Sequence, residues 1–191
     1  MSTFSYNNLK PGVEFTKDGE PYKVLEYEFV RMQQRKPVAQ LKIRSLISGK
    51  VSNYTAHSND SFEEAGIEKV QAEFIYSKRG EFWFKNPEDP SDRFMIAENI
   101  IGSAKNYLKS ELNVYILKFG DRIINIELPI KIDLEVTEAP PNIKGSTADG
   151  GTKTVKTETG LEVKTPLFIE RGDIIRVNTE KGEYTERAEK K

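Results

Sequence analysis

The sequence predicts an all-β protein built of three small barrels, and three observations carry that reading. Apolar and polar residues alternate with a period of two through most of the chain, as half-buried strands require. Glycine-containing pairs, Asp18-Gly19, Arg79-Gly80 and Gly120-Asp121, punctuate the alternating runs where tight turns belong. A single stretch, from about Ala97 to Lys109, spaces its apolar residues as a helix does. The 191 residues divide into blocks 1–64, 65–128 and 129–191, each near the lower size for independent folding.

The first block opens with Val13 and Phe15 alternating against Glu14 and Thr16, turns at Lys17-Asp18-Gly19-Glu20 and returns from Tyr22. Leu25 to Val30 and Val38 to Arg44 are the arms of a long hairpin whose tip is Arg31 to Pro37. Ser48-Gly49-Lys50 leads into a strand from Val51 to His57, and Asn59-Asp60-Ser61 closes a five-stranded barrel of SH3-like kind. In the second block Val70, Ala72, Phe74 and Tyr76 alternate up to a turn at residues 78–81, and Phe82-Trp83-Phe84 returns. Two prolines make Asn86 to Pro90 a loop, because each removes a backbone donor and fixes φ. Ala97, Ile100, Ile101, Ala104 and Leu108 then form one helical stripe, followed by strands at Asn113–Phe119 and Arg122–Leu128. The third block starts with Ile130, Ile132, Leu134 and Val136 on one strand face, stops at Pro140-Pro141 and passes through a glycine-rich loop from Gly145 to Gly151. Strands are expected at 153–156, 161–169, 174–178 and 183–186, with fraying after Arg187. Short, evenly spaced strands in the last two blocks suit oligonucleotide-binding barrels, the OB-fold.

Composition excludes several classes of function. Cysteine is absent and His57 is the sole histidine, so no disulfide framework and no common metal site is expected. The first eight residues have neither a basic start nor an apolar core, and no apolar run reaches membrane-spanning length. The expectation is a soluble, cytoplasmic chain in a reducing compartment, with no cofactor and no membrane partner. Catalysis has little support: His57 followed by Asp60 is no triad, and pairs such as Glu26/Glu28 or Glu63/Glu64 read as solvated surface. The Gly145–Gly151 loop lacks the Gly-Lys-Ser/Thr ending of a nucleotide-phosphate loop. Trp83 with Phe82 and Phe84 suits either a stacking platform for bases or a barrel core.

Charge is the informative property. The net charge is −1, yet Phe29 to Asn59 contains no Asp or Glu and carries Arg31, Arg35, Lys36, Lys42, Arg44 and Lys50. That segment is therefore +6 and the remainder −7. Arg31, Met32, Gln33, Gln34, Arg35, Lys36 and Pro37 form a polar tip, and Lys42 and Arg44 project with Gln40 from one strand face. Two prongs of positive charge without acids suit a phosphate backbone, so RNA contact is expected at this hairpin.

Several stretches together resemble bacterial elongation factor P over essentially the whole chain. They are Lys17-Asp18-Gly19-Glu20-Pro21-Tyr22, Glu28-Phe29-Val30, Gly80-Glu81-Phe82-Trp83, the run Thr159 to Asp173 and Gly182-Glu183-Tyr184. The resemblance implies a non-enzymatic translation factor with a KOW-type first domain, two OB-fold domains and an L-shaped outline. It further implies a monomer that binds both ribosomal subunits between the P and E sites, beside the P-site peptidyl-tRNA, and relieves stalling at consecutive prolines. In that family the hairpin tip reaches the tRNA CCA end and usually carries a modified lysine or arginine. Here Gln34 falls at that position. Glutamine accepts none of the usual additions, so the tip is expected to work unmodified, with Arg35 or Gln34 reaching. The family's third-domain loop approaches the small subunit and the mRNA at the E-site codon. The corresponding residues are Gly145, Ser146, Thr147, Gly150 and Gly151, with Ser146 and Asp149 departing from the usual pattern. Two alternatives stay open: an elongation factor P-like paralogue, and a general single-stranded RNA-binding protein without a translational role.

Overall fold

The computed structural model describes residues 3–31, 36–141 and 151–190. Its strands form three sheets of six, five and five strands. The first contains β1 (Thr3–Ser5), β2 (Glu14–Lys17), β3 (Glu20–Val30), β4 (Val38–Ser45), β5 (Val51–His57) and β6 (Ser61–Glu64), in the order β1-β6-β2-β3-β4-β5. The expected five strands are therefore six, and two of them, β1 and β6, are absent from the sequence reading, which ends the block at Ser61. Thr3–Ser5 and Ser61–Glu64 are too short to show a period, and they become strands by pairing, Phe4 opposite Phe62 and Phe15 opposite Glu64. The Asp18-Gly19 turn forms as expected: Lys17 pairs with Glu20, and both turn residues take positive φ, 53° and 78°. Leu9, Phe15, Val24, Leu41, Ile43 and Phe62 are among the buried side chains of this core. Phe15 and Phe62 meet edge to face at 5.4 Å.

The second sheet contains β7 (Ile67–Lys78), β8 (Glu81–Lys85), β9 (Arg93–Ala97), β10 (Asn113–Phe119) and β11 (Arg122–Glu127), in the order β11-β10-β7-β8-β9. Strand β9 is absent from the sequence reading, which takes residues 86–90 as loop and begins a helix at Ala97. Its five residues pair with β8 throughout, Phe84 opposite Phe94 and Phe82 opposite Ile96. The helix is also shorter than expected. One α-turn, α1 (Glu98–Ile101), gives way at Gly102, whose φ is +55°, to a 3-10 turn over Gly102–Tyr107. Ile101 and Leu108 are the buried members of the predicted stripe.

The third sheet contains β12 (Lys131–Glu138), β13 (Thr152–Thr157), β14 (Glu162–Pro166), β15 (Ile174–Asn178) and β16 (Glu183–Glu189), in the order β14-β13-β12-β15-β16. Counted within its own block, each of the last two sheets has the strand order three-two-one-four-five. The outer strands β14 and β16 approach one another, which closes the barrel. The expected strand 161–169 is trimmed to Pro166, where the Ile169 N–H folds back to the Pro166 carbonyl at 3.3 Å. Strand β16 runs past the expected fraying point because Arg187 and Glu189 are held opposite Ile175 and Ile174. The fold is thus all-β, a six-stranded sheet followed by two five-stranded OB-type sheets.

The chain packs as two compact units, residues 1–70 with 116–125, and residues 71–115 with 126–191. Within the first unit the Asn125 side chain donates to the Leu46 carbonyl at 3.3 Å. Within the second, Tyr107 and Leu112 pack against the third core, which includes Leu134, Val136, Ile169 and Ile175.

On the surface of the third sheet, Arg176 holds Asp133 in a two-pronged pair at 2.7 and 2.9 Å and Glu186 at 2.8 Å. The guanidinium hydrogen bonds keep the Asp133 carboxyl below its ordinary range. A depressed folded-state pKa adds stability above the unfolded carboxylate pKa and loses it as pH falls through the folded value. Asp133→Asn is therefore expected to cost less than about 1 kcal/mol at neutral pH, since the pair is part-exposed. The difference from the parent should vanish in acid, and denaturation curves across pH check it; a cost that persists below the carboxylate range would refute the assignment.

Candidate nucleic-acid interface

The basic hairpin consists of β3 and β4, with Val30 opposite Val38 as the last described pair. This register sets a seven-residue connection, Arg31 to Pro37. Arg31 and Lys36 are exposed and Pro37 is half-buried. Met32, Gln33, Gln34 and Arg35 lie outside the described residues.

Below the tip the two faces of the hairpin differ. On the inner face Ala39, Leu41 and Ile43 are buried, opposite Phe29, Tyr27 and Val24. An irregularity in β3 between Val24 and Glu26 absorbs Leu25 and keeps both Val24 and Tyr27 on this side. The Lys10 ammonium sits over the Tyr27 ring at 3.7 Å from its centroid. Phe29, the inner-face residue nearest the tip, remains 49% exposed, so apolar surface runs beyond the barrel core toward the cations. Alternation identifies the face of Phe29 but gives no sign that the core ends below it. Across the sheet, Tyr54 on β5 meets Phe62 edge to face at 6.1 Å, and burial together with the Asp60 carboxylate pushes its phenol up.

On the outer face Gln40, Lys42 and Arg44 are all exposed, as alternation requires. Pairing adds what linear charge counting misses. Lys42 lies opposite Glu26 and bonds its carboxylate at 2.9 Å, so its charge is locally offset. Arg44 lies opposite Lys23, whose ammonium is 3.5 Å from Glu14. Net positive charge on this hairpin is therefore concentrated toward Arg44 at one end and Arg31 and Lys36 at the other, while the middle, with exposed Glu28 opposite Gln40, carries none. His57 is an exposed residue at the end of β5, its backbone N–H donating to Asp60 Oδ2 at 2.8 Å. Of the third-domain loop, Gly151 is described: its φ is +70° and its carbonyl accepts the Leu167 N–H at 3.3 Å. Gly145, Ser146, Thr147 and Gly150 lie outside the described residues.

The aromatic run at residues 82–84 is split by its strand. Phe82 and Phe84 are core, whereas Trp83 faces outward beside Tyr76, with ring centroids 6.3 Å apart and planes 20° apart. Among the described residues no group of three or more His, Asp or Glu side chains is placed to hold a metal ion. No helix there is long and apolar enough to cross a membrane.

Comparison with known proteins agrees with this geometry at both ends of the chain. Residues 5–62 match the model described as the Elongation factor P (EF-P) KOW-like domain, and residues 132–187 match that of Elongation factor P, C-terminal. Elongation factor P of Dictyoglomus thermophilum is 39% identical over 96% of this chain and 99% of its own length. That of Carboxydothermus hydrogenoformans is 33% identical over 96% of this chain and 98% of its own. The chain belongs to the elongation factor P family. Family members carry the name of translation elongation factors, and the KOW-like match contains the whole basic hairpin. Among solved structures, eukaryotic translation initiation factor 5A from Methanococcus jannaschii aligns with 65% of this chain and 93% of its own, at a TM-score of 0.51 and 12% identity. At that identity the likeness is one of fold.

Proposed function

We propose that the protein binds the ribosome next to the P-site peptidyl-tRNA and promotes peptide bond formation at stalled runs of proline by positioning the tRNA CCA end. The observation that carries this reading is the cationic stretch Phe29 to Asn59, free of Asp and Glu, in a chain that matches elongation factor P over 96% of its length. Arg31, Arg35 and Lys36 supply charge for the tRNA backbone, and the paired arms below them provide a firm base. The gain is orientational: steadying the peptidyl end brings ester and amine into an attack-competent geometry, while the ribosome supplies the catalytic site. The tip acts without modification, since Gln34 occupies the position that family members modify. Lys42 and Arg44 support backbone contacts, and residues Gly145 to Gly151 approach the mRNA at the E-site codon. The protein works as a cytoplasmic monomer touching both subunits, with functional divisions at 1–64, 65–128 and 129–191.

A reconstituted translation system reading a polyproline reporter, supplied with unmodified recombinant protein, tests this. The parent protein should restore synthesis, and Arg35→Ala should reduce the rescue by roughly tenfold, the worth of one charge-assisted contact. Lys50→Ala, an exposed cation at the opposite end of β4, should leave most of it. Equal losses would deny the tip a special role. Absence of rescue by the unmodified parent, with RNA affinity intact, would favour a general RNA-binding protein.

A further inference from the structure

We propose that the outer face of the central sheet, along the row Tyr76–Trp83–Met95, is a stacking platform for unpaired bases of single-stranded RNA. This surface goes beyond the hairpin reading and does not depend on it. Three adjacent strands contribute one side chain each: Tyr76 on β7 lies opposite Trp83 on β8, which lies opposite Met95 on β9. Tyr76 is 47% exposed and Met95 44%, although both are large and apolar in body.

The row exists because the strand departs from simple alternation. A regular β7 would carry Ala72, Phe74 and Tyr76 on one face, and Ala72 and Phe74 are indeed buried. The register shifts between Phe74 and Tyr76, leaving Ile75 as the extra residue and turning Tyr76 out beside Trp83. Placing a tyrosine in water next to the chain's one tryptophan forgoes burial that the core would otherwise gain. The two rings lie nearly parallel as a stacked pair, which an unpaired base can extend.

Charge around the row favours RNA over an apolar partner. Glu73 is held by Lys85 at 2.8 Å, and Glu81 lies opposite Lys78. Arg79 and Arg93 make no ion pair with a described residue, and the Arg93 Nε donates to the Pro90 carbonyl at 3.3 Å. On the sheet face itself Lys78, Lys85 and Arg93 outnumber Glu73 and Glu81, the combination of rings and cations that sequence-tolerant single-strand binding uses, while Glu88, Asp89 and Asp92 lie in the loop before β9. Strands β8 and β9 are the second and third of this barrel, and that face of an OB-fold is where oligonucleotides bind.

Trp83 is the only tryptophan, so its fluorescence reports on the proposed site itself. Titrating the full chain with a short oligouridine or oligoadenine strand should quench that emission. By anisotropy of the labelled strand, Tyr76→Ala and Trp83→Ala should each weaken binding by about 5-fold to 100-fold, while Trp83→Phe keeps most of the affinity. Tyr76→Ala removes an exposed ring and should leave the unfolding midpoint nearly unchanged, which separates lost binding from lost fold. Unaltered affinity in both alanine variants, or RNA binding without quenching, would overturn the proposal by placing the RNA elsewhere. Loss of ribosome co-sedimentation in Tyr76→Ala with no affinity for any free RNA would also overturn it, in favour of a protein-binding face. Because the polyproline reporter is not used, failure here leaves the hairpin reading standing.

Discussion

Phe84→Ala is expected to lower the free energy of unfolding by about 3–5 kcal/mol, the cost of removing a large ring from a closed core. Phe84 is fully buried on β8, with paired strands on both sides. Its ring meets Phe74 on β7 at 5.4 Å and 62°, and Phe94 on β9 at 6.0 Å and 18°. Those two residues are also its direct cross-strand partners, so a single truncation interrupts the aromatic ladder through three strands. Neighbouring backbone cannot collapse into the void, because Phe84 is pinned in register by both flanking strands. Phe84→Leu should recover most of the loss. The adjacent Trp83 provides the measurement: its emission followed through a denaturant titration should show a midpoint well below that of the parent. A midpoint within experimental error of the parent would mean that the ladder is not a core element.

What could be read in the sequence was local, and what could not was set by pairing between distant residues. The Asp18-Gly19 and Arg79-Gly80 turns carry their geometry in two residues, and both adopt positive φ in the structure. Strand β5 was legible at both ends, because its seven residues are bracketed by a glycine turn and a polar turn. Thr3–Ser5 was not, since three residues have no period and become a strand through β6 alone. Strand β9 was hidden by the helical stripe that starts beside it. The salt bridge between Lys42 and Glu26 joins residues 16 apart in the chain, so a count of charge along the sequence overstated the free cations of the hairpin face. Alternation groups Tyr76 with Ala72 and Phe74, and the structure separates them for the same reason: a bulge is a property of two strands together. For the candidate site, the arms were predictable, their register with its irregularity at Leu25 was not, and the identity of the tip rests on charge and family likeness.

Asp173→Ala should destabilise the third barrel by about 2–4 kcal/mol, and the residue ends the run Thr159 to Asp173 that carries the family resemblance. Arg171-Gly172-Asp173 lies between β14 and β15, and Asp173 is 2% exposed. Its Oδ2 accepts the Glu170 N–H at 3.0 Å, while its own N–H donates to the Glu170 carbonyl at 3.1 Å. Gly172, at φ +91°, lets the chain turn sharply enough for its N–H to reach the Val136 carbonyl at 2.8 Å, a conformation that disfavours other residues. The Val136 N–H in turn donates to the Asp173 carbonyl at 2.9 Å, so the turn is stitched to the bulged part of β12. Arg187 of β16 places Nη1 3.5 Å from the same carboxylate and stacks its guanidinium over Phe168 at 5.1 Å. Alanine removes the acceptor for a part-buried N–H and the partner of a cation together. Asparagine keeps an acceptor for the N–H but loses the charge, and at 3.5 Å that charge is the weaker contribution. Asp173→Asn should therefore cost less than half as much as Asp173→Ala in parallel denaturation curves. Equal losses would assign the stability to the Arg187 pair and not to closure of the turn. On the expected outcome, this part of the run maintains the barrel.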